Sequence, residues 1–161
     1  MSGTERFGTG QAFNHMTILD GGSGQHAGKL GEIAFAKWLI VNDVEFSWHA
    51  CDKGPIDFSL SLSGRCAGVD VKTKERNVPA DWNHDAHVTA EQERYACQIY
   101  VFCNVTDGET TLMGWCGKLE FWQKCKRVKK GSKEGPFVER ADAGKLPYRE
   151  LKKMEHLLQY R

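Results

Sequence analysis

Two acids and a lysine stand on neighbouring extended segments: Asp57 in GPIDFSLSLS, and Asp70 and Lys72 in AGVDVKTK. A two-residue turn at Ser63–Gly64 places Asp57 directly opposite Asp70; a turn at Gly64–Arg65 places it opposite Lys72. Both registers keep Asp57, Asp70 and Lys72 on one face, whereas a slip of one residue drives Asp57 into the core. Opposed side chains in such a ribbon sit roughly 5 Å apart at Cβ, where like charges repel. Lys72 offsets part of that repulsion. A divalent cation offsets more, because two carboxylates, a backbone carbonyl and waters are the oxygen ligands that Mg2+ prefers. Hydrolysis of a phosphodiester suits such a site: the metal polarises a phosphate oxygen and acidifies a bound water. Lys72 would hold or activate that water, or balance charge in the transition state. Glu32, further up the chain, would orient the water or bind a second metal.

An acid followed later by D-x-K is common in charged proteins, so the elements that carry these residues matter. The segment 26–42 has helical periodicity, with Leu30, Ile33, Ala34, Trp38 and Val41 on one side and Glu32 off that stripe. Gly28 and Gly31 allow another backbone to approach this helix. VEFSWHAC (44–51) reads as a strand. In 56–63, Ile56, Phe58, Leu60 and Leu62 alternate with Asp57, Ser59 and Ser61; the next strand points Val69 and Val71 inward and Asp70, Lys72 and Lys74 outward. Residues 77–87 read as a loop. A capping box from Thr89 to Gln92 predicts a helix running to Cys97. QIYVFCNV and TTLMGWCG are strands about the turn TDGE, and 118–125 is a short helix. A basic loop, a short strand at FVER and a helix over 148–158 complete the chain. The order implies an α/β fold with a mixed sheet flanked by helices. Residues 1–25, rich in Gly, Ser and Thr, read as a flexible arm, leaving 26–161 as a single domain.

The 161 residues suit one domain with a real core, and a net charge of +1 gives no overall bias toward polyanions. No apolar run approaches the length of a bilayer span, and the N-terminus lacks the apolar core of a signal peptide. This points to a soluble, cytoplasmic protein with no membrane partner. The six cysteines, 51, 66, 97, 103, 116 and 125, contain no C-x-x-C. Reduced and mostly buried thiols are the simpler reading, with Cys103 in the core; a site from His84, His87 and scattered cysteines is the other. The stretch GGSGQHAGKLG fails as a Walker loop, because Ser23 stands at its first glycine and Leu30 follows Lys29.

Glu32 in GEIAFAKWL, Asp57 in GPIDF and Asp70-Val71-Lys72 in GVDVKTK together resemble the PD-(D/E)xK nuclease superfamily. Pro55-Ile56-Asp57 stands where the family has its PD dipeptide. The resemblance spans about residues 26–158 and is specific only at the four charged positions. It implies a restriction-endonuclease-like core, a nuclease domain over 26–161, and Mg2+-dependent cleavage of DNA leaving a 5′-phosphate, with Mn2+ able to substitute. By the same resemblance Asp57 and Asp70 are metal ligands, Val71 lends its carbonyl, Lys72 is the catalytic lysine and Glu32 the accessory acid and a candidate further ligand. Family members include restriction enzymes, junction resolvases, homing endonucleases and phage exonucleases. An endonuclease, a homodimer and a phage or mobile-element origin are expectations of the same kind. A non-catalytic nucleic-acid-binding module with the same fold is the alternative.

The segment 124–133 holds six Lys or Arg and no acid, while the rest of the chain is net acidic. It is either a solvated loop or a phosphate-contacting one, through Lys124, Lys126, Arg127, Lys129, Lys130 and Lys133. Lys74, on the face of Lys72, either touches phosphate or is simply solvated. Arg76, Trp82, His84 and His87 are further candidates for substrate contact. Trp82 would stack on a base or cover the core.

Overall fold

The computed structural model describes residues 23–49 and 54–161. Most of the expected N-terminal arm, and Cys51, lie outside them. Ser23–Gln25, which that arm was expected to include, belong to the first helix.

Helix α1 (Ser23–Val41) buries Phe35, Ala36 and Leu39 completely. The buried stripe is therefore rotated from the expected one, and Val41 is 82% exposed. Both sides of the helix are apolar enough to serve; close approach selects one. A Cβ at Gly31 would lie 1.9 Å from Thr73 Oγ1, so only glycine lets this side of the helix settle onto the sheet. Gly28, by contrast, faces open space. Asn42 and Asp43 end the helix: the Asn42 side chain donates to Trp38 O, and Asp43 adopts φ 54°.

The central sheet is built from β1 (Phe46–Trp48), β2 (Phe58–Leu62), β3 (Arg65–Glu75), β5 (Ile99–Thr106) and β6 (Glu109–Gly117). They lie side by side in the order β1-β2-β3-β5-β6. All neighbours are antiparallel except β3 and β5. This is an α/β fold with a mixed sheet. Leu62 pairs with Arg65 across Ser63 and Gly64, whose φ values of 49° and 72° form the left-handed pair a tight ribbon turn needs. Asp107 and Gly108 repeat the device between β5 and β6.

A second sheet covers the other face. It comprises β4 (Asp85–Thr89), β7 (Lys126–Val128) and β10 (Ala143–Pro147), with β10 in the middle. Part of the expected loop at 77–87 and of the basic loop is thus strand. The two faces of β5 enter two cores: Val101 and Cys103 pack toward α1, while Tyr100 and Phe102 pack with Ala86, Val88, Leu146 and Phe121. Helix α2 (Lys118–Lys124) adds Phe121 and Trp122 to that second core. The outward face of β3 is consequently not solvent-facing throughout, and Asp70 is buried. The ribbon of β8 (Lys133–Glu134) and β9 (Phe137–Val138) completes the strands.

Two expected helices are shorter and tighter. Residues 90–94 form a 3-10 turn with no buried residue, and Thr89 makes no side-chain cap. With no apolar stripe to bury, the segment has nothing to hold a full helix. The C-terminal helix is two 3-10 segments, Tyr148–Glu150 and Met154–Tyr160. Between them Lys152 exchanges backbone hydrogen bonds with Trp115 of β6, which uses the peptide groups a continuous helix would need. No helix among the described residues is long and apolar enough to cross a membrane.

Candidate active site

The β2–β3 ladder ends at Phe58 and Val69, and Asp57 lies one residue beyond, on the register that faces Asp70. The Asp57 amide still donates to Val69 O at 2.9 Å. Its carboxylate Oδ2 then accepts the Val71 amide at 2.8 Å. The side chain thus takes the place of the missing ladder partner. Peptide groups alternate sides along a strand, so the Val71 carbonyl is directed to the same side, where β2 has stopped.

Asp70 is 6% exposed, and Lys72 Nζ lies 2.6 Å from its Oδ2. Glu32 sits on the buried side of α1. Its Oε2 accepts Trp48 Nε1 at 2.8 Å and pairs with Lys29 at 2.9 Å. Gly31, through its contact with Thr73, sets the height of Glu32 above β3. All four predicted catalytic residues line one cleft of about 260 Å3, with Gln92 and Tyr95 also on its wall.

Burial, and then the negative charges of Glu32 and Asp70, push the Asp57 carboxyl up to about 7; the Val71 amide and Lys72 act against this rise. Among the described residues no three His, Cys, Asp or Glu side chains already converge in metal-ligand geometry.

Gln92 and Tyr95 were not foreseeable from periodicity. The 3-10 turn brings them in, and three contacts fix it. The Ala90 amide donates to Asp142 O at 2.8 Å, Arg127 forks onto the Glu93 carboxylate, and Lys118 Nζ donates to Tyr95 O.

The candidate contacts to nucleic acid separate. Arg76 is turned inward: its guanidinium donates to Asn104 Oδ1 at 2.6 Å, Tyr148 Oη at 2.9 Å and Asp85 O at 3.1 Å. It joins the two sheets and is not presented to a ligand. Lys124, Lys126, Arg127 and Lys129 pair with Glu120, Glu134, Glu93 and Asp142. Lys74, Lys130 and Lys133 are exposed and make no ion pair among the described residues. Trp82 is 60% exposed, which leaves it uncovered and no lid on the core. His84 Nδ1 accepts the Asp81 amide, and His87 faces Glu139, so neither joins the cleft. The described cysteines are free thiols, with Cys97, Cys103 and Cys116 buried.

No family model, curated protein or solved structure matches this chain.

Proposed function

We propose that the protein is a Mg2+-dependent nuclease with a restriction-endonuclease-like core, hydrolysing phosphodiester bonds of DNA as an endonuclease. The observation that carries this reading is the pairing of Asp57 against Asp70, with Lys72 on Asp70 and Glu32 beside them in one cleft. The mixed sheet with α1 on one face is compatible with that core.

The donor set fits a hard divalent cation. Two carboxylates and a backbone carbonyl supply oxygen, and a cation would offset both the burial of an ionised Asp57 and its repulsion from Glu32 and Asp70. Asp57, Asp70 and the Val71 carbonyl would hold it, with Glu32 as an accessory ligand. Bound Mg2+ supplies polarisation of the phosphate and a more acidic water. The chain's own residues do the rest. Lys72 places an ammonium beside Asp70, where it can donate to a phosphate oxygen or hold the attacking water. Trp48 fixes the Glu32 carboxylate so that it can accept a proton from that water. Gln92 and Tyr95 complete the lining of the cleft.

A second reading is favoured by the Lys72–Asp70 ion pair itself, which engages an oxygen a metal would use. In it the fold binds nucleic acid without cutting. Incubation with supercoiled plasmid, with Mg2+ or with EDTA, separates the two. Cleavage that needs Mg2+ and disappears in Asp70→Ala and Lys72→Ala supports the nuclease. Cleavage surviving both substitutions removes it. Salt-sensitive DNA binding with no cleavage supports the binding module.

A further inference from the structure

Three basic side chains stand in register across the outer face of the second sheet. Ala86, Val88 and Leu146 fill the core beneath, and Arg127 lies over the Trp122 ring. Alternation therefore turns His87 of β4, Lys145 of β10 and Lys126 of β7 outward. Lys145 pairs directly with His87 on one side and with Lys126 on the other. Like charges set opposite one another in a sheet repel, so the two lysines need anions between them. His87 adds a further N–H donor to the row.

The anions come from the β8–β9 ribbon. Glu139 lies between His87, at 3.3 Å, and Lys145. Glu134 lies between Lys145, at 2.9 Å, and Lys126, at 3.0 Å. Bases and acids thus alternate along one line: His87, Glu139, Lys145, Glu134, Lys126. The ribbon's own register puts both acids on the face turned to the sheet, and Lys133 and Arg140 on the other.

Little else holds the ribbon down. Among the described residues, the backbone of 131–140 bonds only within the ribbon and to Lys129. Phe137 is 75% exposed and Val138 53%, so the ribbon gains no core from them. Two-residue strands do not stand alone in water. The Lys145–Glu139 pair is sheltered, but the other three are part-open to water. Such pairs are individually weak and yield to salt or to a competing anion. The ribbon is also free to lift as a unit. It is the connection from β7 to β10, and Asp142 Oδ1 closes its base by accepting the Lys130 amide at 2.8 Å.

The two carboxylates fill the gaps in the row as two phosphates of a nucleic-acid strand would. A lysine ammonium is a point charge that suits phosphate. A polymer with a charge on every nucleotide brings many phosphates at once and competes well against two carboxylates. We propose that the row His87–Lys145–Lys126 is a phosphate-binding strip for nucleic acid, and that the β8–β9 ribbon is a flap whose Glu134 and Glu139 occupy it until nucleic acid displaces them. The identity of the polyanion rests on the nuclease reading; the strip adds a contact surface separate from the cleft and masked in the free protein.

Fluorescein-labelled duplex DNA titrated with protein in EDTA at several salt concentrations, beside trypsin digestion of the free protein, tests it. Glu134→Gln with Glu139→Gln is expected to tighten binding about ten-fold, the scale of a few part-exposed ion pairs that no longer have to break. Glu45→Gln with Glu155→Gln removes the same charge from exposed sites elsewhere and is expected to change affinity by less than about two-fold. Adding Lys126→Gln and Lys145→Gln to the ribbon variant cancels the gain and lowers the salt slope by about two, one for each phosphate no longer neutralised. In the wild type, trypsin cuts the 130–140 segment faster in high salt than in low, relative to a peptide standard, because screening releases the flap. Equal tightening by the two glutamine pairs is a net-charge effect and overturns the strip, as does unchanged affinity in the ribbon variant. Cutting that does not depend on salt overturns the flap. Each of these results leaves plasmid cleavage, and so the nuclease reading, untouched. A gain in the ribbon variant with no Mg2+-dependent cleavage by the wild type supports the strip and strikes the nuclease reading. Poly-glutamate that binds the ribbon variant more tightly than DNA of equal charge assigns the strip to an acidic polypeptide and overturns the proposal.

Discussion

The carboxylate of Asp57 accepts the amide of Val71 at 2.8 Å, so the acid that begins the site also finishes the ladder of its neighbouring strand. Ionised Asp57 satisfies that amide, but its burial, and then the charges of Glu32 and Asp70, push its carboxyl from 3.8 up to about 7. The folded state therefore binds this proton more tightly than the unfolded chain. The resulting stability is fully present below pH 3.8, is lost as pH rises toward 7, and is absent above. Asp57→Asn keeps an oxygen for Val71 and removes the charge. In metal-free protein, its stability relative to wild type is expected to improve across that window by at most about 4 kcal/mol, at ~1.4 kcal/mol per pKa unit. Urea unfolding of both proteins at a series of pH values checks this. A difference independent of pH would mean that Asp57 is not the strained acid.

Gly31 and Thr73 set the distance between α1 and β3. Gly31→Ala gains up to about 1 kcal/mol of helix propensity but places its Cβ against Thr73 Oγ1. Over-packing of this kind costs about 1–3 kcal/mol, so net destabilisation is expected. The displacement also lifts Glu32, the next residue, away from Trp48. Adding Thr73→Ala is expected to recover part of both stability and cleavage rate. A double-mutant cycle showing simple additivity would place the strain elsewhere.

The β2–β3 ribbon was legible in the sequence because its alternation is unbroken and Ser-Gly suits a left-handed two-residue turn. The face of α1 was not. Leu30, Ile33 and Trp38 form as good a stripe as Phe35, Ala36 and Leu39, and only the glycine contact with Thr73 decides between them. That choice puts Glu32 into the cleft. The second sheet left little trace, since DAHVT, KRV and AGKLP each send only one or two apolar side chains into a core. Lys152 shows the same limit: its ladder bonds to Trp115 come from a strand far away in sequence, and they cut a helical pattern in two. Gln92 and Tyr95 needed the contacts of Arg127, Lys118 and Asp142, none of which is local.

Arg76 is expected to act on stability and not on substrate. Arg76→Ala leaves Asn104, Tyr148 and the Asp85 carbonyl without their shared donor and removes the guanidinium from the Tyr148 ring. A loss of about 3 kcal/mol is expected, in line with stranded buried polar groups. Arg76→Lys restores little of it, because an ammonium cannot reproduce the planar fork. Chemical denaturation measures the loss. DNA titrations at a temperature where the variant remains folded should give wild-type affinity; a selective drop in affinity would return Arg76 to the binding surface.

Lys72 is expected to serve both the fold and the reaction, and Mg2+ separates the two roles. Lys72→Met keeps most of the aliphatic stem and removes the ammonium 2.6 Å from Asp70, a residue only 6% exposed. Breaking a buried pair from one side costs about 3–5 kcal/mol; Lys72 is partly open to solvent, so the lower end, about 3 kcal/mol, is expected without metal. Added Mg2+ gives the two aspartates another cation and should shrink that deficit, while cleavage stays depressed by about a hundred-fold or more. Thermal melts with Mg2+ and with EDTA, run beside the plasmid assay, read both effects on the same samples. Equal destabilisation in the two conditions would remove the aspartate pair as the metal site. A variant that cuts at the wild-type rate would remove Lys72 from the chemistry.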